Sequence, residues 1–211
     1  MDTSGDSVAS IALDLLLLAT FGFVAVRMLR LARPRTVPVV AIVATIVVGV
    51  PSLLQFAIPA VGHLLRRDPA ETLLHGQWWR PFTALLAQDG GLSAAIFNLV
   101  VVALATAASE WIVGRARTIV LLLLPSILVN LLALTWGATG GGSSFAVDGL
   151  MVAVVVRCAI RGADPLIRVA AVLPVASGVV LVLLDDAHGV AMLIGAALGA
   201  LAAIRGRRPG R

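Results

Sequence analysis

Lysine is absent from the 211 residues, cysteine occurs once, and only 13% of the chain is charged. Ordinary soluble domains carry about 25% charged and 45–50% apolar residues. This chain is 60% hydrophobic, with a mean hydropathy of +1.04. A water-soluble globule has no use for that much apolar surface. The single Cys158 excludes an intramolecular disulfide and a multi-cysteine metal site, and it reads as a small apolar helix residue. Basic residues are missing from Met1–Ser7, which carries Asp2 and Asp6 instead, so a secretory signal peptide is not expected there. Internal repeats with paired broken helices, frequent in transporters, are not found either.

Charge is also missing from long stretches such as Val39–Val61 and Ile119–Leu134. Each approaches the ~20 apolar residues that cross ~30 Å of hydrocarbon. Apolar runs between polar punctuation predict seven spans, at 8–31, 38–62, 93–113, 117–136, 144–161, 165–184 and 187–204. The expected fold is therefore an all-α membrane protein, with the lipid bilayer as its surroundings. Pro51, Gln55 and Pro59 are expected to kink the second span or end it early.

Arginine supplies all 16 basic residues, and 13 of them fall on alternate loops. Arg27, Arg30, Arg33 and Arg35 follow the first span, Arg115 and Arg117 the third, and Arg157, Arg161 and Arg168 surround the loop after the fifth. Arg205, Arg207, Arg208 and Arg211 follow the last. The other side receives Arg66, Arg67 and Arg80 alone. The positive-inside rule then predicts a multi-pass cell-membrane protein with its N-terminus outside and its C-terminus cytoplasmic. The net charge of +5 is spread over short loops and not gathered on one solvated face, so a nucleic-acid partner is not expected. Arginine without lysine, together with abundant Ala, Gly and Val, fits a GC-rich bacterial genome.

Three regions follow. Residues 1–36 are expected to hold the first transmembrane helix and an Arg-rich loop, 37–205 the main membrane domain, and 206–211 a basic cytoplasmic tail. Within the domain, 63–92 is a long outer loop in which Trp78, Trp79 and Phe82 flank Arg80, the composition of an interfacial, partly helical element.

Ionisable groups inside spans are costly and mark candidate sites. They are Asp14, Glu110, Asp148 and His188, accompanied by the polar residues Asn98, Asn130, Ser143 and Ser144. Taken alone, Ser144 is a helix cap and His188 a residue at a helix end. Together they open two spans from the same face, and a serine that meets a histidine in a protected pocket is the minimum set for nucleophilic acyl transfer. The small residues Ala187, Ala191, Gly195 and Gly199 form a stripe beside His188, and Ala146, Gly149 and Ala153 offer a complementary face. No metal site and no cofactor are expected.

Over about Gly76–Gly199 the chain resembles the rhomboid family of intramembrane serine proteases. Trp79-Arg80 is similar to the Trp-Arg of the family's first loop, and Asp89–Asn98 to the segment His-Gly-Gly-x-x-His-x-x-Phe-Asn. Glu110 and Gly114 match an acidic residue and glycine at the inner end of that helix. Gly142-Ser143-Ser144-Phe145 stands where the family has Gly-x-Ser-Gly, and Ala187-His188 with Ala191, Gly195 and Gly199 matches its Ala-His-x-x-Gly-x-x-x-Gly-x-x-x-Gly. The resemblance implies a six-helix core plus one extra N-terminal helix, Ser144 as nucleophile, His188 as general base and Asn98 as an oxyanion donor. It further implies cleavage of transmembrane segments of other membrane proteins, with Trp79, Arg80, Glu110, Gly142, Gly195 and Gly199 in structural roles.

Three departures stand out. Ala94 replaces a histidine that helps to bind the oxyanion. Phe145 replaces the glycine after the nucleophile, where a benzyl group is expected to obstruct approach. Asp148 occupies the place of an aromatic residue, one turn after Ser144, and has two readings: decay of the site, or a third triad member that orients His188. The functional alternatives are accordingly a rhomboid-type endopeptidase, an inactive pseudoprotease that binds transmembrane segments as clients, and, remotely, a small transporter.

Overall fold

A computed structural model of the chain describes residues 1, 7–32, 36–162 and 164–204. Asp2, Asp6, Arg33, Arg35, Arg205 and the basic tail at 206–211 lie outside the described residues. The chain is helical throughout its spans. In order it forms α1 (Val8–Ala32), α2 (Val39–Ala57), α3 (Pro59–Leu65), α4 (Pro69–Leu73), α5 (Arg80–Thr83) and a 3₁₀ turn at Ala84–Leu86. Then follow α6 (Gly91–Val113), α7 (Arg115–Thr135), α8 (Ser144–Arg161), α9 (Pro165–Ala170), α10 (Val172–Leu183) and α11 (Ala187–Ile204). Among the described residues the only β-type pairing is an antiparallel bridge between Arg67 and Gly140.

Among the described residues six stretches are long and apolar enough to cross a membrane: Val8–Leu31, Val39–Ala57, Gly91–Val113, Arg115–Thr135, Pro165–Leu183 and Ala187–Ile204. Large apolar side chains stand exposed on their outer faces, among them Ile42, Val43, Ile46, Val47 and Val50 of α2. Such a belt is a liability in water and ordinary against lipid tails. α8 is of a different kind. It has 18 residues but carries Asp148, Arg157 and Arg161, and every residue from Phe145 to Val155 is buried, so the other helices enclose it.

The second apolar run, expected over 38–62, is a helix only to Ala57. Ile58, the residue before Pro59, is driven out of the helical region to φ −129°, ψ 86°, and Pro59 opens a separate helix. Pro51 is carried inside α2. The expected run 165–184 is likewise divided at Ala171 into α9 and α10.

Glycine sets how closely α8 and α11 approach. A Cβ on Gly195 would stand 2.2 Å from the Gly149 carbonyl oxygen, and one on Gly199 2.3 Å from that of Ala153. The two backbones are in direct contact at both levels, which brings together the helix ends that carry Ser144 and His188.

Candidate active site

Ser144 is the first residue of α8, so its amide and that of Phe145 belong to a first turn whose N–H groups have no intrahelical acceptor. They also carry the positive end of the helix dipole. The preceding loop is fixed from outside. Gly141 donates to Asp89 Oδ2 at 2.8 Å, Gly142 donates to the Ala84 carbonyl at 3.0 Å, and Arg66 pairs with Asp89 at 2.6 Å. Gly141 has no room for a side chain: a Cβ would meet Ala87 Cβ at 2.7 Å and the Ala84 oxygen at 2.9 Å.

His188 is the second residue of α11 and 3% exposed. Its Nε2 lies 3.0 Å from Ser144 Oγ. Its Nδ1 lies 2.8 Å from Asp186 Oδ1, and the same oxygen accepts the His188 backbone N–H at 2.8 Å. Asp186 stands immediately before α11, and its carboxylate caps the helix while it holds the ring. A carboxylate there fixes the proton on Nδ1 and leaves Nε2 as the acceptor for the serine hydroxyl. The other carboxylate oxygen accepts a hydrogen bond from the Ser10 hydroxyl of α1, and Ser10 is only 1% exposed. Burial works against the charge of Asp186, yet the hydrogen bonds and charge of His188 and the Ser10 hydroxyl hold its carboxyl below the usual range.

The orienting place considered for Asp148 is therefore filled by Asp186. Asp148 is buried with Oδ2 unpaired and makes no hydrogen bond to His188. The reason is geometric: Asp186 reaches Nδ1 through the local turn that starts α11, whereas Asp148 sits one turn deeper on the neighbouring helix. Phe145, expected to obstruct the approach to Ser144, is in contact with His188. Its ring packs tilted against the His188 imidazole, with centroids 4.7 Å apart, in a cluster with Val129, Ala187 and Ala191.

Asn98 donates from Nδ2 to Gln88 Oε1 at 2.9 Å, and Gln88 in turn donates to Ser143 Oγ at 3.1 Å. This chain connects α6 to the residue before Ser144. Ala94 adds no donor and packs near Gly90. Glu110 lies at the opposite end of the bundle, where its carboxylate accepts the Val40 amide at 2.7 Å and pairs with Arg115 at 2.9 Å, capping α2. Arg80 organises the segment between α3 and α6 by donating to the His63 and Arg66 carbonyls at 2.7 and 3.0 Å, while Trp79 beside it is half-exposed.

Sequence reasoning passed over Asp186, Ser10, Gln88 and Arg67. For Asp186 a signal existed, an acid two residues before the candidate base. For Ser10, Gln88 and Arg67 none did, since only the fold brings them near. Among the described residues no group of three or more His, Cys, Asp or Glu is arranged to hold a metal ion. No family model and no curated protein matches the chain.

Proposed function

We propose that the chain is a rhomboid-type intramembrane serine endopeptidase that cleaves transmembrane segments of other membrane proteins. In this reading a six-helix core is joined by α1 as a seventh span, the N-terminus lies outside, and the site faces the outer side of the cell membrane. The observation that carries it is the continuous hydrogen-bond line from Ser144 Oγ through His188 to Asp186.

The chemistry follows from that line. As Ser144 Oγ attacks a substrate carbonyl carbon, its proton passes to His188 Nε2 and the imidazolium is stabilised by Asp186. The carbonyl oxygen becomes an oxyanion, met by the free amides at the start of α8 and by the remaining N–H of Asn98. Collapse of the intermediate breaks the C–N bond, and His188 returns the proton to the leaving amine. Water then repeats the sequence on the acyl-enzyme. The apolar shell around α8 keeps bulk water from these groups.

Ala94 favours a second reading, a pseudoprotease that binds transmembrane segments without cutting them. Labelling of the purified chain with a serine-directed fluorophosphonate separates the two. The protease reading expects labelling that disappears in Ser144→Ala. A folded chain that resists labelling and leaves transmembrane substrates intact would overturn it.

A further inference from the structure

Arg67 is the largest fully buried side chain among the described residues, at 1% exposure, and it forms no ion pair with any of them. Its guanidinium donates only to neutral acceptors: Nε to the Ala138 carbonyl at 2.7 Å, Nη1 to Asn130 Oδ1, and Nη2 to the Thr139 carbonyl at 3.4 Å. The nearby acid, Asp89, is engaged by Arg66. The Arg67 backbone pairs with Gly140 in both directions, at 2.8 and 3.0 Å, so the residue is fixed beside the loop that leads into Ser144.

A buried charge without a counter-charge is costly, and a guanidinium has five N–H donors, of which these contacts occupy three. Arg67 shares a small cavity of about 10 Å³ with Gly141, Gly142, Ser144 and Phe145. That is room for about one water, or one oxygen atom. Burial pulls the guanidinium down to about 10, with Asp89 acting in the opposite sense, so it remains a cation at neutral pH. A fixed positive charge, with no anion paired to it among the described residues and carried by a residue that lines the nucleophile's cavity, is matched to a negative charge that appears there only during the reaction.

We propose that Arg67 is a catalytic cation that stabilises the oxyanion formed when Ser144 attacks, supplying the electrostatic help for which Ala94 has no donor. The inference rests on the protease reading and extends it. The binding partner it defines is the tetrahedral oxyanion of an acyl substrate.

The test compares the full-length protein with Arg67→Gln, Arg67→Lys and Asn130→Ala in proteoliposomes, using a transmembrane-segment substrate and a peptide aldehyde that forms a tetrahedral adduct on serine. Loss of the charge in Arg67→Gln is expected to lower kcat by about 10²–10³ while KM stays within about twofold, the effect of removing one oxyanion donor. Arg67→Lys keeps the charge but not the planar clamp, and it should retain clearly more activity than Arg67→Gln. Aldehyde affinity should fall in step with kcat/KM across the set. Asn130→Ala loosens the clamp and leaves the cation, and it should cost less than about tenfold.

Equal losses in all three variants would reduce Arg67 to a clamp of the 138–140 loop and overturn the proposal, as would an Arg67→Gln protein with unchanged kcat. If Arg67→Gln does not fold, the order Arg67→Lys against Asn130→Ala decides: a lysine variant no better than the asparagine variant overturns it. A wild-type chain inert to fluorophosphonate and aldehyde alike overturns the protease reading and this proposal with it, whereas a reactive wild type with charge-independent variants overturns the proposal alone.

Discussion

His188 is held on three sides: by Ser144 at Nε2, by Asp186 at Nδ1 and by the Phe145 ring against its face. Removing the acid acts on tautomer and orientation. Asp186→Asn should lower kcat by up to about 10⁴, the loss seen when the orienting acid of a soluble triad is replaced. Asp148→Asn should leave kcat within a few-fold, because Asp148 makes no hydrogen bond to the ring. Initial rates on one transmembrane substrate decide between them, and the opposite ranking would return the orienting role to Asp148. Asp186 also bears on stability. Its folded pKa lies below the unfolded one, so its contribution is present above about pH 4. That contribution is lost as the pH falls through the depressed folded value, and acid melting curves of Asp186→Asn should show a weaker dependence there. At this scale the sequence made Ser144 and His188 legible through spacing and resemblance, since both open apolar runs on one face. Gln88 and Arg67 were illegible, because a polar residue in a loop shows its partners only after the loop has folded.

The packing of α11 on α8 depends on missing side chains. At Gly195 and Gly199 an added Cβ would fall within 2.3 Å of backbone oxygen, which cannot move aside as a flexible side chain does. Gly195→Val should therefore destabilise by at least the ~1–3 kcal/mol typical of overpacking and separate Ser144 from His188. Unfolding midpoints and serine labelling should fall together. Gly22 in α1 provides the contrast, because nothing lies within 4 Å of an added Cβ. Gly22→Ala should stabilise by about 0.5–1 kcal/mol through helix propensity alone, leaving labelling intact. If both substitutions behaved alike, close contact of the two backbones would not be what holds the helices. The four-residue stripe was visible in sequence because helical periodicity is local. The break at Ile58 was anticipated from Pro59 only in kind, and its position came from the restriction on the residue before proline.

Over the whole molecule, the candidate site and the larger share of the arginines lie at two different ends. Arg27 pairs with Asp164 at 2.8 Å, and Arg115 pairs with Glu110 at 2.9 Å, so the ends of α1, α6 and the starts of α2, α7 and α9 share one side. Ser144, His188 and the segment between α3 and α6 with Arg67 and Arg80 belong to the other. In the proposed topology the arginine bias puts the first end in the cytoplasm. Cys158 is the only cysteine and is buried, so single cysteines can be introduced on a Cys158→Ala background and probed with a membrane-impermeant maleimide. In intact cells His75→Cys and Thr139→Cys should label, while Arg117→Cys and Arg168→Cys should label only after permeabilisation; all four positions are exposed. Each residue of the second pair sits next to a span end that the charge rule places inside, whereas Thr139 lies just before the Gly140–Gly142 segment that leads into Ser144 and His75 lies between α4 and α5. If Thr139→Cys and Arg117→Cys label from the same side, α7 does not cross the bilayer and the seven-span reading fails. If the pairs separate in the reverse sense, the spans stand but the site opens towards the cytoplasm, and the substrates would have to be reached from that face.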